Sequence, residues 1–166
     1  MSLWFFLLAQ TAILAYALVG GVFLAFSDFI MRSLSLGGDA GLDTMQTINR
    51  EVFRWVFMAL FLGMAGVSLV ICGYAATQLS GGAGTLIGLS ALIYLAGCFA
   101  VTVFCNVPMN EALAGMDRTS STAQTYWRDV YLPRWTLWNT VRTVACTLSA
   151  ALMLWGLLWA AQTSSG

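Results

Sequence analysis

The stretch WVFMALFLGMAGVSLVICGYAATQ, at positions 55–78, opens a run of the chain that carries no charged residue until Glu111. A glycine-rich break at 80–84 divides this run into two apolar pieces. A helix needs roughly 20 residues to cross the ~30 Å hydrocarbon core of a bilayer, and each piece is long enough. The run therefore predicts two membrane-spanning helices, near 55–78 and 85–106.

Two further apolar runs flank this pair. The first is uncharged and predicts a span near 3–27, and the second predicts a span near 135–161 that contains one charged residue, Arg142. The 166-residue chain is 60% hydrophobic and 8% charged, which is too apolar for a soluble domain. We predict an all-α fold, a four-transmembrane-helix bundle that forms a single membrane domain over 1–166. The N-terminal run lacks the basic start of a cleavable signal peptide, and it is longer than the apolar region of such a peptide.

The second half of the chain repeats the first at an offset of 78 residues. Asp43–Phe53 reappears as Ser121–Tyr131, and the dipeptide at 54–55 recurs after a two-residue insertion. Because each half holds two spans, the repeat preserves orientation. We expect two parallel span–charged connection–span units, about 1–79 and 80–166, related by a pseudo-twofold axis along the membrane normal.

Both charged connections are predicted to contain a short helix. Asp43-x-x-Gln46 and Ser121-x-x-Gln124 match the capping-box pattern, in which two side chains satisfy open amides at a helix start. We therefore expect helices that begin near Asp43 and Ser121 and lie on the mouth of the bundle as a two-part lid.

The charged residues all lie between Asp28 and Arg54 or between Glu111 and Arg142. Four spans place these two connections on the same side of the membrane. The positive-inside rule, counted on arginine, predicts that this side is cytoplasmic and that the protein is a multi-pass protein of the cell membrane.

The chain contains no histidine and no lysine. This excludes a Ser-His-Asp or Cys-His nucleophile, a histidine-ligated haem and a lysine Schiff base. The four cysteines form no C-x-x-C pair, and we predict no metal site. With zero net charge and no basic run, nucleic acid is not an expected partner. The lipid bilayer and a hydrophobic or aromatic small molecule are the expected partners, and a homo-oligomer stays open.

Departures from the repeat mark a candidate site in the second half. At the later offset of 80, Asn139 corresponds to Ala59, and Arg142 corresponds to Leu62. Arg142 lies roughly two turns inside its span, where an arginine costs up to ~3 kcal/mol on insertion scales. Ionisable residues at such depth concentrate at functional positions.

Two asparagines of the third span are expected to join this cluster. Asn106 and Asn110 share a helix face, and Pro108 between them is expected to end or kink the span. These residues could converge with Asn139 and Arg142 just below the lid. The alternative is a structural polar cluster, in which the arginine snorkels to the interface and the asparagines satisfy backbone groups freed by the proline.

The sequence NVPMNEAL at 106–113, followed by Trp127 and by WTLWNTVRT at 135–143, resembles the anthrone oxygenase-like family of small four-helix membrane proteins. The shared pattern is N-x-P-x-N, a tryptophan, and then W-x-x-x-N-x-x-R. Phe26-Ser27 and Met45-Gln46-x-x-Asn49 are similar too, so that the resemblance covers most of the chain. Most members have no assigned function. A few, in polyketide pathways, are credited with oxidising anthrones to anthraquinones with molecular oxygen and without a recognised cofactor.

The resemblance implies a cofactor-independent oxygenase acting on an aromatic, polyketide-type substrate at a polar pocket between the third and fourth spans. Arg142 with Asn110 and Asn139 would stabilise an enolate oxygen. Asp28 or Glu111, the acids at the ends of spans, would be the base. The candidate catalytic residues are Arg142, Asn139, Asn110, Asn106, Asp28 and Glu111. The candidate substrate-binding residues are Trp127, Trp135, Asn49, Met109 and Trp138.

One departure from the family pattern bears on the reaction. Members often carry histidine directly after the motif asparagine, where this chain has Thr140. If that histidine is the base in the oxygenases, this chain would lack the activity, because a fold is retained more readily than a reaction. The alternative function is a non-catalytic membrane subunit that binds a lipid, a quinone or another amphiphile.

Overall fold

The computed structural model describes residues 1–54 and 56–164, and these residues are almost entirely helical. Trp55, where the second span was predicted to begin, lies outside the described residues. The helices are α1 (Leu3–Leu36), α2 (Asp39–Glu51), α3 (Val56–Gln78), α4 (Gly81–Ala114) and α5 (121–164). Four of them, α1, α3, α4 and α5, are long and apolar enough to cross a membrane. The predicted all-α fold with four spans is confirmed, whereas the repeat symmetry stays a prediction.

The described part of the long helices contains four π-helical segments. They are Phe26–Ile30 in α1, Tyr94–Ala100 and Thr102–Asn106 in α4, and Trp127–Tyr131 in α5. A π-helical turn is wider than an α-helical turn, because its hydrogen bonds reach to the fifth residue along the chain, and such turns are frequent at functional sites.

Both prolines of the chain stand two residues after the end of a π-helical segment. Pro108 follows the segment that ends at Asn106, and Pro133 follows the segment that ends at Tyr131. A proline in an α-helix lacks the amide hydrogen and clashes with the carbonyl four residues earlier, and a widened turn relieves both defects. The helix α4 continues past Asn106, the predicted end of the third span, to Ala114, so that Pro108 does not end the helix.

The four long helices pack around a shared apolar core. α5 packs most extensively against α1 and α4, and α3 completes the bundle between α4 and α1. Most of the polar groups inside it are paired, as an apolar surrounding favours, although Oγ of Ser149 is buried without a partner among the described residues. The hydroxyls of Tyr16 and Ser68 lie 2.7 Å apart, and the hydroxyl of Tyr94 donates to the carbonyl oxygen of Phe61 over 2.9 Å.

Gly156 allows α5 to pack closely against α4. A Cβ atom there would lie 2.7 Å from Cγ1 of Ile87 and 3.2 Å from the carbonyl oxygen of Ala83, whereas a Cβ atom at Gly63 would meet nothing within 4 Å. We expect Gly156→Ala to lower the free energy of unfolding by about 1–3 kcal/mol through overpacking. The matched change Gly63→Ala should leave it unchanged or raise it slightly. The free energies of unfolding of both variants are measured in detergent, with circular dichroism as the signal. Equal stabilities of the two variants would contradict the close packing at Gly156.

The lid helix α2 begins four residues earlier than the sequence predicted. It starts at Asp39, after Gly38, whose φ of +55° suits glycine. Asp43 therefore lies inside the helix, where it forms an ion pair with Arg118. The side chain of Gln46 donates to the carbonyl oxygen of Leu113 over 2.8 Å instead of returning to its own helix start. The capping box predicted at Asp43 is wrong, because both of its side chains bind the opposite connection.

The second predicted lid helix is the first part of α5. Its cap is Ser120, whose Oγ accepts from the amide of Ala123 over 3.1 Å, so that the predicted cap Ser121 is the first helical residue. In the preceding turn, Asp117 accepts from the amide and the hydroxyl of Thr119. These hydrogen bonds hold the pKa of the Asp117 carboxyl below its usual range. The mouth of the bundle thus carries one separate lid helix, α2.

Candidate functional site

Arg142 is a buried cation without an acidic partner. Its side chain is 4% exposed, and no described carboxylate lies within ion-pair distance. Nη2 donates to Oδ1 of Asn139 over 2.7 Å and Nη1 donates to Oγ1 of Thr102 over 3.3 Å, whereas Nε has no partner among the described residues. The guanidinium carbon lies 4.1 Å from the ring centre of Phe23 and 5.2 Å from that of Trp135. The aromatic faces stabilise the cation, but they offer its Nε–H group no acceptor.

Asn139 orients this arginine. Its Nδ2 donates to the carbonyl oxygen of Phe23 over 2.6 Å and to Oγ of Ser27 over 2.7 Å. The amide is therefore fixed with its oxygen towards Arg142. Phe23 lies three residues before the π-helical segment of α1 that contains Ser27, and both groups face α5.

Asn110 joins a second polar cluster nearer the lid. Its Oδ1 accepts from the hydroxyl of Tyr131 over 2.7 Å and from Nε1 of Trp135 over 2.8 Å. The Tyr131 hydroxyl in turn accepts from Nδ2 of Asn49 over 3.2 Å. These contacts connect the lid helix, α4 and α5 through one set of hydrogen bonds.

Asn106 lies close to these groups but points elsewhere. Its Nδ2 donates to the carbonyl oxygen of Trp135 over 3.3 Å. Its Oδ1 is buried without a partner among the described residues. Its contact therefore fixes α4 against α5 where the two clusters meet.

A cavity of about 230 Å³ lies beside Arg142. The sequence predicted a pocket between the third and fourth spans, but all four long helices and α2 contribute to this wall. The polar lining residues are Asn49, Thr102, Asn110, Trp135 and Arg142. The rest of the lining is apolar and rich in aromatic rings, with Phe23, Phe26, Phe53, Phe57, Phe61 and Phe99 among its members. The cavity is thus an apolar space with a single cation in its wall.

Several predicted site residues do not reach this cavity. Asp28 and Glu111 are exposed, and Asp28 lines a separate groove on the outer surface between α1 and α5. Met109 is partly buried and packs against the core beneath the lid, and Trp127 stacks on Tyr131 with ring centres 5.3 Å apart. The remaining predicted residues fall into three groups. Arg142, Asn110, Asn49 and Trp135 line the cavity, Asn139 contacts Arg142, and Asn106 and Trp138 do neither.

Sequence reasoning missed residues that hold the arginine and its neighbours. Thr102 stands four residues before Asn106, on the same face of α4, and this spacing was a usable signal. Tyr131 stands where the first half of the chain has Phe53, so that its hydroxyl is a departure from the repeat. The contribution of Phe23 carried no signal, since an apolar residue in an apolar span does not stand out.

The described residues define a small multi-pass membrane protein whose bundle contains an apolar cavity with a buried arginine in its wall. No group of three His, Cys, Asp or Glu side chains among them could hold a metal ion. A family model described as Anthrone oxygenase matches residues 49–152, well over half of the chain. The chain belongs to this family, as its motifs indicated. No curated protein and no solved structure matches it.

Proposed function

We propose that this protein binds an acidic aromatic molecule in the cavity and oxidises it with molecular oxygen, without a resident cofactor. The observation that carries this proposal is the unpaired guanidinium of Arg142 in an apolar wall. A buried charge is costly unless something compensates it, and a ligand with a negative oxygen would supply the missing charge. The aromatic lining suits a flat ring system.

An anthrone-type substrate fits this arrangement chemically. Loss of a proton from its methylene carbon gives an enolate, whose oxygen the free Nε of Arg142 would hold. The enolate passes an electron to oxygen, and the two radicals join in a carbon–oxygen bond. The resulting hydroperoxide loses water as its oxygen–oxygen bond breaks. The two methylene hydrogens are thus replaced by one oxygen atom, and the other oxygen atom leaves as water.

The proposed reaction needs no base from the cavity wall. A nearby positive charge favours the ionised form of an acid and lowers its pKa by about 1–3 units. Arg142 would therefore hold the substrate as its anion, and the proton would leave to solvent. This replaces the earlier assignment of Asp28 or Glu111 as base, since both side chains are exposed.

A second candidate function is binding of an amphiphile without chemistry. It is favoured by two observations: no carboxylate lines the described cavity wall, and the chain contains no histidine. Oxygen consumption distinguishes the two. The protein is purified in detergent and mixed with anthrone in air-saturated buffer, with no metal, flavin or haem added, and an oxygen electrode records the rate. Uptake above that of the uncatalysed reaction, with anthraquinone as product, supports the oxygenase. Saturable binding without oxygen uptake supports the binding module. If the protein neither takes up oxygen nor binds anthrone, both functions are excluded.

Thr140, where relatives often carry histidine, lies outside the cavity. Its hydroxyl lies 2.9 Å from that of Ser27, and it lines the outer groove between α1 and α5. We expect Thr140→His to change the rate of oxygen uptake by less than about threefold, because an imidazole there is too remote to deprotonate a bound substrate. A gain of tenfold or more would show that the outer groove takes part in the reaction.

The orientation with both charged connections in the cytoplasm also stays a proposal. Labelling of a cysteine introduced at Ser35, in intact and in permeabilised cells, tests it.

A further inference from the structure

The wall of the cavity reaches the apolar outer surface of the bundle. Val22 of α1, Leu62 of α3 and Val103 of α4 all line it, yet their exposed fractions are 40%, 51% and 40%. All three lie in charge-free stretches of helices that can cross a membrane. An exposed apolar side chain at this position faces lipid hydrocarbon. The cavity is therefore open on a side where a bilayer would lie.

The lid helix covers the other side. Leu42 and Met45 of α2 are buried, and Met45 also forms part of the cavity wall. Gln46 donates to the carbonyl oxygen of Leu113 in α4 over 2.8 Å and to that of Met116, just after α4, over 3.2 Å. The hydrogen bond from Asn49 to Tyr131 and the ion pair of Asp43 with Arg118 add two more attachments. A ligand from water would have to displace a helix that is fastened at several points.

We propose that the ligand is a membrane-dissolved amphiphile, a hydroxylated aromatic ring with an apolar tail, and that it enters the cavity sideways from the bilayer. This inference rests on the proposed ligand site at Arg142. The acidic oxygen binds the guanidinium, the ring lies among the phenylalanines, and the tail extends through the opening at Leu62 into the lipid. The cavity volume of about 230 Å³ supports this placement. Pockets that enclose a whole drug-sized ligand measure about 300–1,000 Å³, so that this one encloses the ring alone.

The test follows the kinetics of binding in lipid nanodiscs. The probe is 6-dodecyl-2-naphthol, with 2-naphthol as the tailless comparison, and stopped-flow fluorescence gives the association and dissociation rates. Leu62→Trp narrows the proposed opening. Leu69→Trp is the matched control, because Leu69 lies two turns further along α3, is 63% exposed and does not line the cavity. Val103→Trp repeats the block from α4 should the first variant fold poorly. Gln46→Ala loosens the lid.

Entry from the bilayer predicts that Leu62→Trp slows association and dissociation together by about tenfold, whereas Leu69→Trp and Gln46→Ala change neither. The dodecyl compound should also bind more tightly than 2-naphthol. Faster exchange in Gln46→Ala, with no effect of Leu62→Trp or Val103→Trp, would overturn the inference and show entry through the lid. In that case binding that still depends on Arg142 would leave the proposed site standing. Failure of the wild-type protein to bind either probe would overturn both.

Discussion

Replacing Arg142 by alanine should lower the rate of oxygen uptake with an anthrone-type substrate by about 100- to 1,000-fold, the usual cost of removing one donor that stabilises an anionic transition state. The guanidinium is the only cation in the described wall of the cavity. Its contribution is greatest where charge has developed on the substrate, so that kcat should fall more than the affinity for the neutral substrate. Stability should fall less than turnover, because the residue has no acidic partner to leave unpaired and its loss removes only the donors to Asn139 and Thr102.

Two further variants show whether the loss of rate is specific to the guanidinium of Arg142. Arg142→Lys should recover only part of the rate, since an ammonium is a compact charge and lacks the planar set of donors that also reaches Asn139 and Thr102. Arg134→Ala is the control, because this arginine lies on the same helix but is exposed. If Arg142→Ala unfolds the protein while wild-type protein oxidises no anthrone, the polar cluster is structural. Equal losses in Arg142→Ala and Arg134→Ala would show a general effect of charge.

The membrane spans could be predicted from the sequence because their cause is local. A bilayer core admits few charged residues, and helices are the simplest way to satisfy the backbone inside it, so that length and charge-free composition suffice. The ends of the helices depend on tertiary contacts instead. Asp43 and Gln46 match a cap pattern, yet each gains more from a partner on the opposite connection, Arg118 or the end of α4. A capping pattern in the sequence does not show whether its side chains have a more favourable partner in a distant part of the chain.

The polar residues of the site could be predicted from the sequence, whereas the apolar ones could not. Arg142 and Asn139 interrupt an apolar span, and their three-residue spacing predicts the contact of 2.7 Å that they make. Asp28 and Glu111 lie beside the same motifs in the chain but are exposed. For Asp28, the π-helical turn and the packing of α1 on α5 set the direction of the side chain. The cavity itself is lined mainly by phenylalanine, which is ordinary in a span. Only the packing of five helices shows which of these rings surround an empty space.

Placing a carboxylate beside the arginine should separate stability from function. We expect Thr102→Asp to raise the free energy of unfolding by about 1 kcal/mol or more, because a charged acceptor replaces the hydroxyl now 3.3 Å from Nη1 of Arg142. The same variant should weaken the binding of an acidic aromatic by at least about 100-fold, since the cation is already compensated and the ligand anion meets a like charge. Unfolding in detergent gives the first quantity, and titration with 2-naphthol gives the second.

The matched variant is Thr102→Asn, which offers Arg142 an oxygen of nearly the same reach but no charge. Its affinity for the acidic ligand should stay within a few-fold of wild type, so that a loss confined to Thr102→Asp is electrostatic rather than steric. A destabilised Thr102→Asp protein would mean that the arginine already has its charge compensated in the membrane. Tight binding to both variants would mean that the ligand is neutral or lies away from Arg142. If Arg142 is kept unpaired in order to bind a ligand, a carboxylate at position 102 should raise the stability of the protein and lower its affinity for the ligand. If Arg142 is retained only for structure, the carboxylate should raise the stability without lowering any affinity.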